Sequence, residues 1–237
     1  VDRKQEIIVP LIKTKAQKHG VPVFQPDSLR KDTAALEELE KLEPDMIVVM
    51  AYGQILPNRV IDLPRIDCIN LHASLLPRQK ETGGSLHDRL ALLGPDLLSR
   101  GLHLLASSTS ETEEQNEELV TYAGKLLRED GEIDWTKSAS EIERWIRAYD
   151  PWPGTYTTWI RDGKPQKIKI YPHCAIAPGT DHSPGTVIIS GNELLIACGG
   201  NSSLKLEGEL QLEGRKRLPV SEFLRGSQLE DRTNLGS

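Results

Sequence analysis

The 237-residue sequence has little cysteine and no long apolar run, and both absences exclude whole classes of protein. Its three cysteines, Cys68, Cys174 and Cys198, are widely spaced without a CxxC pattern, so neither a disulfide framework nor a zinc site is expected. No apolar run approaches the roughly 18 residues of a membrane span, and the opening VDRKQEIIVP lacks the apolar core of a signal peptide. We therefore expect a cytoplasmic protein with no membrane segment.

Several common site patterns are also absent. Gly83-Gly84 is too short for a phosphate-binding loop, and no GxSxG elbow or paired catalytic carboxylate stands out. Five histidines are scattered without metal-ligand spacing: His19, His87, His103, His173 and His182. No metal site is expected.

Charge is unevenly distributed along the chain. The net charge is −6; residues 1–150 hold 19 Lys and Arg against 26 Asp and Glu, whereas residues 151–237 hold 10 against 9. An acidic total argues against a general nucleic-acid coat but leaves room for a local basic patch.

The first half alternates helix and strand patterns. Helices are predicted over 9–19, 33–43 and 85–98, and strands over 21–24, 46–51 and 66–73. Strands separated by helices predict a parallel α/β sheet. Three strands are few, since an average sheet has about five or six. We therefore expect that some of the sheet is not represented in this chain.

The second half has a different character. After a polar, acidic stretch (107–118), a helix is predicted over 138–150, capped by Ser138 or Ser140. Short β-rich runs punctuated by glycine and proline follow, as is typical of a small barrel or sandwich. We predict a first domain over 1–118, a linker over 119–137 and a second domain over 138–237.

An asparagine and a histidine stand at the edge of the apolar run in CINLHASLLP (68–77). Asn70 and His72 share one face of the predicted strand, and ligands of open α/β sheets bind outside the carboxyl ends of strands. An amide donor suits stabilisation of an oxyanion, and an imidazole can move a proton near neutral pH. The pattern favours acyl or formyl transfer. A structural histidine at a strand end is the alternative that stays open.

AYGQILP (51–57) followed by CINLHASLLP resembles the formyltransferases that use 10-formyltetrahydrofolate, for which Asn-x-His followed by SLLP is a specific signature. LVTYAGKLLREDGEIDWTKSASEIERWIRAYDPWPG (119–154) and LQLEGRKRLPVSEFLRG (210–226) are similar to the branch of that family that formylates initiator methionyl-tRNA. The resemblance covers about 9–226. It implies a Rossmann-like parallel-sheet domain followed by a small OB-like β-barrel domain.

The resemblance also implies roles for particular residues. Asn70 and His72 match the catalytic pair. The co-substrate would be 10-formyltetrahydrofolate, and its binding residues would be Gln54, Ile55, Leu56, Ser74, Leu75, Leu76 and Pro77. For Ile55 and Leu56, ordinary core packing is the competing interpretation.

Two departures from the family pattern affect the site. The family's D-x-G-x-D-T-G motif, which carries a catalytic Asp, is absent, because SLLPRQ runs directly into KETGGSLHDRL. The family's N-terminal strand and its basic, glycine-rich loop are absent as well. We expect missing segments near 1–9 and at 79/80. A variant that has truly lost the Asp would be a poor catalyst.

The basic side chains of the second domain are candidates for contact with tRNA phosphates. The candidates are Arg215, Lys216, Arg217, Lys164, Lys167 and Lys169. A solvated turn is the competing interpretation for such a cluster. The partners expected are initiator methionyl-tRNA and the folate co-substrate, with a monomeric protein. The alternatives are a sugar-nucleotide formyltransferase and a catalytically impaired folate- or RNA-binding variant.

Overall fold

The computed structural model describes residues 9–72, 81–114, 116–120 and 124–236, which form two compact units. Residues 9–72 and 94–113 belong to the first unit. Residues 81–93 and the described residues from 114 onward belong to the second.

The first unit contains a two-stranded parallel sheet. Strand β1 (Met46–Met50) pairs with β2 (Asp67–Leu71), with Met46 opposite Asp67 and Met50 opposite Leu71. Because the strands are parallel and in register, both end at the same edge of the sheet. The helices are α1 (Leu11–Lys18), α2 (Thr33–Lys41), the single turn α3 (Asn58–Ile61) and α4 (Gly83–Ala106), which continues across the division between the units.

Local sequence explains where α2 begins. The Asp32 side chain accepts a hydrogen bond from the backbone N–H of Ala35 at 3.0 Å, which satisfies one of the unpaired donors at the helix start. Leu36, one turn later, is buried. A cap followed by an apolar position at helical spacing is enough to predict this element.

The predicted strand over 21–24 is wrong. These residues have no regular secondary structure, and the backbone N–H of Val21 donates instead to the carbonyl of Ala16 at 2.9 Å, at the end of α1. An apolar run becomes a strand only when a neighbouring strand accepts its hydrogen bonds. Among the described residues of the first unit, the ladder consists of β1 and β2.

The second unit contains two four-stranded antiparallel sheets. The elements are α5 (Ala139–Ala148), β3 (Thr155–Arg161), β4 (Lys164–Ile170), β5 (Cys174–Pro178), β6 (Val187–Ser190), β7 (Glu193–Cys198), β8 (Ser202–Leu206), β9 (Glu209–Leu212), β10 (Arg217–Pro219) and α6 (Val220–Ser227). One sheet has the order β10-β9-β4-β3 and the other β5-β8-β7-β6. The predicted change to short strands after the helix at 138–150 is confirmed.

Helix α5 is stabilised by a capping box at its N-terminus and by an apolar face that packs in the core. The Ser138 side chain accepts from the N–H of Glu141, while the Glu141 carboxylate accepts from the N–H of Ser138 at 3.1 Å, which forms a capping box. Ser138 is therefore the cap, rather than Ser140. The inner face of α5 buries Ile142 and Ile146 in the core of the second unit.

Strand β4 divides its side chains between that core and the surface. Ile168 and Ile170 are buried at 2% and 3% exposure, whereas Lys167 and Lys169 are exposed. Alternation of this kind places the two lysines on one face of the sheet, away from the core.

In the parts of the chain that the structure describes, no helix is long and apolar enough to cross a membrane.

Candidate functional sites

The carboxyl ends of β1 and β2 border a cleft of about 570 Å³. Asn70 lies in β2 opposite Val49, and His72 follows the last residue of β2. Both side chains line this cleft and are exposed to solvent rather than sealed in a core. The cleft therefore has the position that ligand sites take in open α/β sheets.

The segment after β1 supplies the opposite wall of the cleft. Gln54, Ile55 and Leu56 all line it, so the structure brings this predicted folate-binding segment together with Asn70 and His72. The Gln54 amide nitrogen donates to the carbonyl of Asp27 at 3.2 Å. Ile55 is 84% exposed, so its interpretation as a core residue is wrong.

Cys68 also lines the cleft, on the strand face shared by Asn70 and His72. Burial raises the pKa of its thiol, and the Asp67 carboxylate raises that pKa further. The thiol is consequently neutral at neutral pH and poorly suited to act as a nucleophile. The chemistry that the cleft can supply is therefore hydrogen bonding by an amide and proton transfer by an imidazole.

Part of the predicted site lies outside the described residues. The folate-binding segment Ser74, Leu75, Leu76 and Pro77 falls there, as do the two residues Gln79 and Lys80 that border the expected break. These predictions stay predictions.

A second candidate site lies on the exposed face of the sheet β10-β9-β4-β3. Strand register places four residues in one row across it: Arg217 opposite Gln211, Gln211 opposite Lys169, and Lys169 opposite Tyr156. Lys167 lies two residues from Lys169, and its ammonium group sits 4.0 Å from the centre of the Tyr156 ring. Residues far apart in sequence thus form one basic, aromatic surface.

The structure divides the six predicted basic residues. Lys167 and Lys169 line a groove of about 680 Å³ on this face, and Arg217 lies in the same row of the sheet, paired with Glu209 at 2.6 Å. Arg215 and Lys216 are exposed in the turn between β9 and β10. Lys164 is the first residue of β4, next to the hairpin that joins β3 to β4. It lies three residues from Lys167, so strand alternation places the two lysines on opposite faces of the sheet. The first three are brought together, and Lys164 is not.

Sequence reasoning missed other residues of the groove. Arg128, Trp152, Tyr156 and Gln211 line it together with the two lysines. A signal for Tyr156 was available, because Thr155, Thr157 and Trp159 are the buried members of an alternating strand and Tyr156 lies between them. Gln211 had no such signal, since only the pairing of β9 with β4 places it there.

Within the described residues, no group of three or more His, Cys, Asp or Glu side chains is arranged to hold a metal ion.

Family models match both halves of the chain. Residues 2–92 match the family described as formyl transferase, and residues 125–228 match the one described as formyl transferase, C-terminal domain. Together with the relatives below, these matches show that the chain belongs to the formyl transferase family.

Two similar curated relatives are methionyl-tRNA formyltransferases. The protein from Akkermansia muciniphila is 42% identical over 271 residues, covering 95% of this chain and 85% of that protein. The protein from Geobacter sulfurreducens is 38% identical over 278 residues, covering 99% and 85%. These identities extend through both the cleft-forming half and the β-sheet half.

The first of these alignments is longer than the chain itself, with 271 positions against 237 residues. The Akkermansia protein therefore has stretches without a counterpart here. Their expected location, near 1–9 and at 79/80, stays a prediction.

Among solved structures, a variant of HypX from Aquifex aeolicus is similar with a TM-score of 0.50 at 15% identity. The match covers 90% of this chain but only 46% of that one, so this chain spans less than half of HypX. At this identity the likeness concerns the fold alone.

Proposed function

We propose that this chain transfers the formyl group of 10-formyltetrahydrofolate to the α-amino group of initiator methionyl-tRNA. The observation that carries the proposal is the meeting of Asn70 and His72 with Gln54, Ile55 and Leu56 in one cleft at the carboxyl ends of two parallel strands. The relatives named above support the choice of substrates.

The reaction needs an oxyanion site and a route for one proton. The α-amino nitrogen attacks the formyl carbon, and the formyl oxygen gains negative charge as the tetrahedral intermediate forms. The Asn70 amide donates a hydrogen bond to that oxygen, and His72 stabilises it and accepts the proton lost by the amine. The bond from carbon to N10 then breaks, the proton passes to N10, and tetrahydrofolate and formylmethionyl-tRNA are released.

The co-substrate would bind beside the catalytic pair. Gln54, Ile55 and Leu56 would line the pterin pocket, partly through backbone groups, and the resemblance implies that residues 74–77 also contact the folate. The high exposure of Ile55 supports this role, because an apolar side chain left in solvent gains from burial against a ring system.

The tRNA would bind the second unit through its basic residues. Lys167, Lys169 and Arg217 share one face of a sheet, which supports a continuous phosphate-contacting surface; Arg215, Lys216 and Lys164 would extend it at its edges. We further propose that the first unit is part of a Rossmann-like domain and that the two antiparallel sheets form an OB-like barrel. The protein would act in the cytoplasm as a monomer.

The experiment is formyl transfer from 10-formyltetrahydrofolate to methionyl-tRNA by the full-length gene product. His72→Ala should lower the rate by about 10²–10⁴, the range for a positioned acid–base group. Its folding should change little, because His72 is exposed. His87→Ala is the matched control, since that imidazole is 81% exposed on α4 and does not line the cleft.

Three outcomes would contradict the proposal. If His72→Ala is as active as His87→Ala, His72 is a structural residue. If the unaltered protein binds folate or tRNA without any transfer, the impaired variant that lacks the Asp motif is the correct description. Transfer to a sugar nucleotide instead of tRNA would support the other alternative.

A further inference from the structure

Trp152 is a large aromatic side chain of the second unit that the core does not bury. Trp135 and Trp159 are 3% and 5% exposed and belong to the core. Trp152 is 54% exposed and lines the groove that contains Lys167 and Lys169. A tryptophan ring that is half in solvent and lines a groove is available for contact with a ligand, since tryptophan is enriched at interfaces where one end of the ring stays wet.

The indole is held on a stiff turn. Trp152 lies between Pro151 and Pro153, whose rings fix the backbone φ angle on either side. The backbone N–H of Gly84 donates to the carbonyl of Asp150 at 2.8 Å, and a Cβ at Gly84 would lie only 3.0 Å from the Pro151 ring. Little conformational entropy is therefore lost when a ligand contacts the indole.

The cations of the groove are not neutralised by the protein. Across the described part of the chain, no ion pair involves Arg128, Lys167 or Lys169, whereas Lys205 on the other sheet pairs with Glu193 at 2.7 Å. Cations in this state are available to phosphates.

The groove is also lined by carboxylates, which restrict the chemical classes of ligand that it can bind. Glu129 and Glu213 line it beside the three cations. A bare anion gains little from such a mixed lining. A nucleotide matches it better, because it combines a phosphate with hydroxyl and amino donors and an aromatic face.

We propose that this groove binds an unpaired nucleotide segment, with one base stacked on Trp152 and its flanking phosphates contacted by Lys167 and Lys169. The base must be unpaired, because the faces of bases inside a duplex are already covered by their neighbours. The inference rests on the proposed function for its partner, which is an RNA. It adds the mode of recognition.

The test uses a dye-labelled, unpaired oligoadenylate hexamer, with binding to the full chain followed by fluorescence anisotropy. Stacking on an aromatic side chain contributes about 1–3 kcal/mol per base, so Trp152→Ala should weaken binding by about 5- to 150-fold. Trp152→Phe should retain most of the affinity. Trp152→Leu should lose it, because leucine is apolar but has no π face.

Phe24→Ala is the matched control. Phe24 is 55% exposed, nearly the same as Trp152, but it belongs to the first unit, and its loss should leave oligoadenylate affinity unchanged. The fluorescence of the unaltered protein should also be quenched on binding, with less access for acrylamide, since Trp152 is the most exposed of its four tryptophans.

The proposal is overturned if Trp152→Leu binds the hexamer as tightly as the unaltered protein, or if a fully paired duplex shows the same dependence on Trp152. Formyl transfer is measured separately on the same samples. If formyl transfer is active but the affinity for the hexamer does not change when Trp152 is replaced, only this inference is overturned. Absent transfer with Trp152-dependent binding overturns the proposed function and leaves this inference standing.

Discussion

Replacing both Lys167 and Lys169 with alanine removes two positive charges that form no ion pair among the described residues. Both side chains are exposed on one face of β4, so their loss should leave the core of Ile168 and Ile170 intact. The measured quantity is the affinity for initiator tRNA as a function of salt. Each phosphate contact releases condensed counterions, so each contributes to the slope of log affinity against log salt.

The size of the change follows from the number of contacts. The slope falls by about 0.7 per contact with a single strand and about 0.9 per contact with a duplex. Two lost contacts therefore lower it by about 1.4 or 1.8, and at 0.1 M salt the affinity falls by about 25-fold or 60-fold. The single-strand values, a slope change of about 1.4 and a loss of affinity of about 25-fold, are expected, because the groove is proposed to hold unpaired nucleotides.

Binding is measured by filter retention of labelled tRNA between about 50 and 200 mM salt, the range in which such slopes are pronounced. Lys205→Ala is the control, since it removes the same charge from the other sheet, where Glu193 already neutralises it. Lys164→Ala should have less effect than Lys169→Ala, because Lys164 does not line the groove. An unchanged slope in the double variant would refute the reasoning.

The remaining predictions concern the stability of the second unit. Ser138→Ala should lower the free energy of unfolding by about 1 kcal/mol, the usual contribution of an N-cap, and should raise the pKa of Glu141, which hydrogen bonds from Ser138 now lower; an unchanged midpoint of urea unfolding would contradict this. Burial raises the pKa of Cys174 and Cys198 to about 12. Thiolates then form more readily in the unfolded chain, so the contribution of these two thiols to stability should be constant below about pH 8.5 and fall as the pH rises toward 12. Urea titrations at several pH values check this, and iodoacetamide should label Cys68 faster than Cys198, whose side chain is buried.

Local sequence determined the features that neighbouring residues control. The capping box of Ser138 with Glu141 and the alternation of Lys167 and Lys169 with Ile168 and Ile170 depend on side chains within a few positions of one another. The position of Asn70 and His72 is also a local feature. A motif at the end of an apolar strand lies at the end of the sheet, whichever strand is its neighbour. These could be predicted without knowing the rest of the fold.

Only the tertiary structure decided which strands are neighbours. Residues 21–24 have an apolar composition, but among the described residues no strand pairs with them, and the backbone N–H of Val21 donates to α1 instead. The row of Arg217, Gln211, Lys169 and Tyr156 exists because β10, β9, β4 and β3 pair in that order, joining residues up to 61 positions apart. The choice of which distant strands pair depends on contacts across the whole folded chain, and the composition and periodicity of each single segment do not determine it.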